Sequence, residues 1–104
     1  MGLWVVLEDE KGHPIQGVEG VADPRNLLHR LLPSREDRSY QCLRFVDWYG
    51  DTVFNYLQAD QLLVELERVA SGTTTEEERE LLRRLRELAQ MSQESRAYVK
   101  FYGD

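Results

Sequence analysis

The chain has one cysteine in 104 residues, so no internal disulfide can staple it. Cys42 lies in an apolar run, where a buried small hydrophobe is the expected role. Long apolar runs are also missing. The longest near the N-terminus is Leu3-Trp4-Val5-Val6-Leu7, followed at once by Glu8-Asp9-Glu10, which reads as neither a signal peptide nor a membrane span. With no leader and no disulfide, the chain reads as cytoplasmic. Basic charge is scarce: 13 Lys and Arg face 19 Asp and Glu, a net charge of −6. The excess of acid is spread over both halves, so there is no basic arm or acidic tail. A general nucleic-acid binder needs a basic footprint on the phosphates, and that class is excluded as an expectation. The two histidines, His13 and His29, are too isolated to form a metal pair. Ser34, Ser39 and Ser71 lack a nucleophile-elbow context, and no glycine-rich phosphate loop precedes a basic anchor. No cofactor site is read from the sequence.

What is present is enough apolar material, 41%, for one core in a single domain. A domain of this length is typically stable by roughly 5–10 kcal/mol. Residues 3–7 are apolar on both faces, as in a central strand or one whose second face meets a partner. Residues 15–22 form a weaker strand interrupted by Gly17 and Gly20. Asp23-Pro24 has the chemistry of a helix start, and Leu27, Leu28, Leu31 and Leu32 make a stripe of about two turns before Pro33.

Residues 42–46 and 52–54 are β-prone and flank a Gly50-Asp51 bend, so the stretch 42–54 reads as a hairpin with a wide loop. A second helix runs from Asp60 to Ala70, with Gly72 placed to end it in the left-handed conformation. Thr75 with Glu78 matches a reciprocal capping box for a third helix, along which Leu81, Leu82, Leu85, Leu88 and Ala89 form the apolar stripe. On its polar side Glu80 and Arg84 form a favourable i,i+4 pair. Residues 97–102 alternate as a last strand. The order ββαββααβ predicts an α+β domain: a mainly antiparallel sheet of about five strands with three helices packed on one face.

Tyr-Gly-Asp occurs twice, at 49–51 and at 102–104. Both copies read as strand-end turns, and two further readings stay open. In one, the two ends meet and form an acidic and aromatic surface of Asp47, Trp48, Tyr49, Asp51, Asn55, Tyr102 and Asp104, with Tyr56 and Tyr98 nearby. Tyr and Trp bury area while keeping a polar handle, and an acidic rim suits a basic protein partner. In the other, Asp47, Asp51 and Asp104 gather to bind a hard cation or to share a proton for acid–base work. Their spacing does not match a calcium loop.

The run 47–55, the leucine-rich helix after it and the closing Lys100-Phe101-Tyr102-Gly103-Asp104 resemble a group of small uncharacterised bacterial proteins. That resemblance implies no activity. Bacterial toxin-immunity proteins are often small, acidic domains of this build, so an immunity-like inhibitor is the concrete form of the binding reading, by analogy. Self-association, through the first strand or the tyrosine face, is its variant.

Overall fold

The alternation near the C-terminus forms the strand around which the sheet is built. In the computed structural model, which describes residues 2–103, β4 (Tyr98–Tyr102) turns Val99 and Phe101 into the core and Tyr98, Lys100 and Tyr102 to the opposite face. The N-terminal apolar run becomes β1 (Trp4–Glu8), paired antiparallel with β4 in the register Trp4↔Tyr102 to Glu8↔Tyr98. β2 (Val21–Ala22) flanks β1, and β3 (Asp51–Phe54) flanks β4 in the register Asp51↔Tyr102 to Phe54↔Val99. Among the described residues the antiparallel sheet therefore has four strands, in the order β2-β1-β4-β3. The α+β class holds, with one strand fewer than the sequence predicts.

The missing strand is the segment 42–46, whose residues 43–45 form a 3-10 turn. The cause lies 22 residues downstream. The carboxylate of Glu65 accepts from the amides of Gln41 (2.6 Å), Cys42 (3.0 Å) and Leu43 (2.8 Å), and from Gln61 Nε2 (2.7 Å). Three successive N–H groups converge on one anion only if the backbone curls. Hydrogen bonding to that side chain overrides β propensity, which is a weak preference. The segment still fills the core, with Cys42 and Leu43 both buried and only Phe45 turned out.

Shorter departures have local causes. Residues 15–22 are strand only at the last two positions, because Gly17 takes a left-handed φ of 84° and a separate Glu8↔Pro14 bridge turns the chain back early. Asp23 does collect free amides, those of Leu27 and Leu28, each at 2.8 Å. Asn26 at φ 56° delays the helix, so α1 is one turn, Leu28–Leu31. Gly72 does not take the left-handed form; α2 (Ala59–Ala70) ends in tight turns from Ser71, Gly72 and Thr73 back to Glu67, Val69 and Ala70.

The third helix follows its sequence signals more closely. Both arms of the Thr75–Glu78 capping box form at the start of α3 (Glu76–Ser95). Its Glu80 pairs with Arg83 instead of Arg84, which reaches back to Gly20 O (3.3 Å). The helix stops at Arg96, itself left-handed at φ 53°.

Helices α2 and α3 pack on each other, and their leucines meet Val5, Leu7, Phe54, Val99 and Phe101 from one side of the sheet. Among the described residues no helix covers the other side. Among the described residues no helix is long and apolar enough to cross a membrane.

Candidate functional site

The two Tyr-Gly-Asp segments lie side by side, because β3 begins where β4 ends. Gly103 N donates to Gly50 O at 2.6 Å. The bend before β3 is held by its own acid: Asp47 Oδ1 accepts from Tyr49 N (2.9 Å), and Asp47 N donates to Thr52 Oγ1 (2.8 Å). The approach is close enough to exclude a side chain at 103. A Cβ there would stand 2.4 Å from Gly50 O and 2.8 Å from Asp47 O, both backbone atoms. Gly103→Ala is expected to cost about 1–3 kcal/mol as an overpacking strain. Hydrogen exchange should show the Gly103 amide unprotected in the variant; an unchanged amide would mean that the contact does not hold the tip.

This tip gathers most, but not all, of the residues that the sequence singles out. Tyr49 is 86% exposed. Trp48 is half-buried, its ring 5.2 Å from that of His29 on α1. Asp51 stands opposite Tyr102 in the β3–β4 register. Asn55 lies at the far end of β3, where its Oδ1 caps the next turn by accepting from Leu57 N (2.9 Å) and Gln58 N (3.1 Å). Asp104 lies outside the described residues.

Tyr102 and Asp51 also belong to a larger surface, the face of the sheet turned away from α2 and α3, on which Val6 and Glu8 are buried and the rest is at least partly exposed. Strand registers set its rows: Trp4, Tyr102 and Asp51; then Val6, Lys100 and Val53; then Glu8 and Tyr98. Trp4 is 44% exposed, its indole folded over Gly20, where a Cβ would stand 2.5 Å from the ring. Val53 is 50% exposed. Between these apolar groups sits a charged cluster. Glu8, only 3% exposed, accepts a hydrogen bond from the Tyr102 hydroxyl. Lys100 Nζ lies 3.9 Å from Glu8 Oε1, 3.7 Å from Asp51 Oδ2 and 4.5 Å from the centre of the Tyr102 ring.

These contacts set the charge of the surface. The bond to Glu8, reinforced by burial, holds the Tyr102 phenol neutral by raising its pKa. The Lys100 pKa is raised, first by its contact with Tyr102 and then, against burial, by the charges of Glu8 and Asp51. One cation is thus shared by two carboxylates, and the cluster keeps a net negative charge. Asp9 and Glu10 add acid at its other end, around a shallow hollow of about 280 Å³ that also touches Val53, Tyr98 and Lys100.

Comparison with family models, curated proteins and solved structures found no match for this chain. Function is therefore read from geometry alone.

Among the described residues no group of three His, Cys, Asp or Glu side chains converges as a metal site. The Asp47 carboxylate is engaged in its own turn and that of Asp51 faces an ammonium, an arrangement that adds no support to the cation or acid–base reading. The Cys42 thiol is pushed up to about 11, by burial and then by the charge of Glu65, which keeps it protonated and inert. An apolar cleft of about 190 Å³ between residues 22–27 and α3 has its acids already committed: Asp23 to two amides, Glu77 to Arg25 and Glu80 to Arg83.

Glu8, Val53 and Lys100 are members of this surface that sequence reasoning missed, whereas Trp4 and Val6 lie on the second face of the first apolar run. The signal was present in part, since Trp4, Val6 and Glu8 alternate with Val5 and Leu7 and so share a face. What joins Glu8 to Lys100 and Tyr102 is the strand register, which no local pattern encodes.

Proposed function

We propose that this protein is a non-enzymatic binding module that receives a basic protein partner on this sheet face and the adjoining tip. One observation carries the reading. The sheet face turned away from α2 and α3 keeps Trp4 and Val53 about half-exposed and Tyr98 and Tyr102 partly exposed, around a charge cluster that is net negative. Aromatic side chains supply area for binding at low entropic cost. Acids at both ends of the apolar rows select a partner segment that is apolar in the middle and cationic at its flanks, and they speed its approach. An inhibitor of a basic protein, in the manner of an immunity protein, is the concrete form of this reading.

The test is affinity capture from native lysate with the wild type and with Val53→Lys, whose half-exposed side chain sits amid the surface. A basic protein is expected on the wild type, weakened by moderate salt, and reduced by about tenfold or more on the variant, since like charges oppose docking. Equal recovery on both would place the binding elsewhere. Recovery of the protein alone, at low and moderate salt, would end the proposal.

A further inference from the structure

The hollow of about 280 Å³ at the Glu8 end of the sheet face holds a buried carboxylate that is short of donors. Glu8 is 3% exposed. Its Oε2 takes the Tyr102 hydroxyl, and its Oε1 accepts no hydrogen bond among the described residues. Lys100 Nζ stands 3.9 Å from that oxygen, beyond hydrogen-bond reach, and is drawn equally to Asp51 Oδ2 at 3.7 Å. A carboxylate has about four acceptor sites, and burial denies this one the water that would fill them. The free oxygen looks toward Gly12, another wall of the hollow, where a Cβ would stand 4.0 Å from it.

We infer that this hollow is the subsite for one arginine side chain of a protein partner. The inference rests on the binding reading above and names the group through which that partner is held. Charge sets the sign. Glu8, Asp9 and Glu10 line the hollow against a single cation, Lys100, while Lys11 and His13 line a different one. Asp9 is spent on the turn that follows it, accepting from the amides of Lys11 and His13. Glu10 is exposed, and its carboxylate meets no donor or cation among the described residues.

The walls choose arginine over lysine. Val53 and Tyr98 offer an apolar bed for a long side chain. The Tyr98 ring is partly exposed and is set edge-on against Tyr56 at 6.4 Å. No cation lies over it among the described residues, although the Tyr56 and Tyr102 rings are met by Arg96 at 5.9 Å and Lys100 at 4.5 Å. A planar guanidinium stacks on such a ring and still directs N–H groups from its edge to carboxylate oxygens. An ammonium is more strongly hydrated and has no plane to stack. Lys100 is then the internal competitor, the cation that an arriving guanidinium must share Glu8 with.

The probe is N-acetylarginine methylamide, with its lysine and its uncharged citrulline counterparts as controls. Each is titrated into the isotope-labelled protein at constant ionic strength to about 50 mM, several times the weakest Kd expected for so small a ligand, on the order of 1–10 mM. The arginine probe is expected to saturate and to move the amides of residues 8–12, Val53 and Tyr98. The lysine and citrulline probes should bind about fivefold and tenfold more weakly. Lys100→Gln should tighten the arginine probe about threefold or more, Glu10→Gln should weaken it about threefold, and Tyr98→Leu should bring arginine and lysine to within about twofold, each with wild-type circular dichroism. Shifts spread over the acidic surface without saturation, a lysine probe that binds as well as arginine, or a Lys100→Gln that binds no more tightly would each overturn the inference. Those results leave capture of a basic partner to stand or fall on the lysate experiment. An empty capture beside saturable arginine binding in the hollow would instead count against the binding reading alone.

Discussion

Replacing Glu65 with alanine is expected to release the turn at 41–45 and to cost about 3–5 kcal/mol, as does removal of one member of a buried, hydrogen-bonded charge group. Glu65 is 2% exposed, and its two oxygens accept from three backbone amides and the Gln61 side chain. Alanine would leave those amides facing an emptied, largely apolar space. Against a total of roughly 5–10 kcal/mol, that loss takes half or more of the stability. Denaturant unfolding at neutral pH measures it, and a loss below about 1 kcal/mol, the level of an ordinary exposed hydrogen bond, would contradict this account.

The same residue fixes a pH dependence. Burial alone would raise the Glu65 pKa, but the amide of Leu43, the Gln61 side chain and the amides of Gln41 and Cys42 outweigh it, and the net shift is downward from the ordinary value of 4.5. A carboxylate with a lower pKa in the folded state binds fewer protons there than in the unfolded chain. Its contribution is therefore complete above 4.5 and is lost as pH falls through the folded value. Stability should drop on acidification over that window. In Glu65→Gln, which is less stable at neutral pH, the drop should be shallower. Asp9, Asp37 and Glu80 are shifted the same way by their own hydrogen bonds, so the slope should be reduced, not abolished.

Phe101→Ala is the second large loss, expected at about 3–5 kcal/mol for a fully buried ring. The side chain is 1% exposed and meets Phe54 edge-on at 5.8 Å. It belongs to β4, between β1 and β3, so the cavity would open directly beneath Lys100 and Tyr102 on the opposite face of the sheet. A fall in Tm on the order of 20 °C follows for a domain of this size. Tyr102→Phe is the informative contrast. It keeps the ring and removes only the hydroxyl that donates to Glu8, so about 1–2 kcal/mol is expected. If the two variants lost equal stability, the assignment of Phe101 to the load-carrying side of the sheet would be wrong.

Several features were legible because their causes are local. The Thr75–Glu78 box spans four residues, and α3 starts where that pattern says. The leucine stripes of α2 and α3, the alternation of β4 and the turn residues of the tip follow from helical and strand periods within a few residues. So does the class: strands at both ends with helices between them must place those helices against a sheet of largely antiparallel strands. The end of α2 was less legible, because Gly72 permits a left-handed turn without requiring one.

The sequence by itself settled which side chains seek the interior, and hence the α+β class, the two long helices and the strand at each end. The tertiary structure alone decided which distant groups meet. Residues 42–46 look like a strand until Glu65 supplies acceptors for their amides, and Glu8 looks like the end of an apolar run until Tyr102, 94 residues on, lies above it. Asn55 appears to belong to the aspartate tip until the length of β3 carries it to the opposite end of the sheet. The reason is physical. Periodicity records the partition between water and core, a property of each residue with its near neighbours, whereas hydrogen bonds and ion pairs depend on register, which only the packed chain defines.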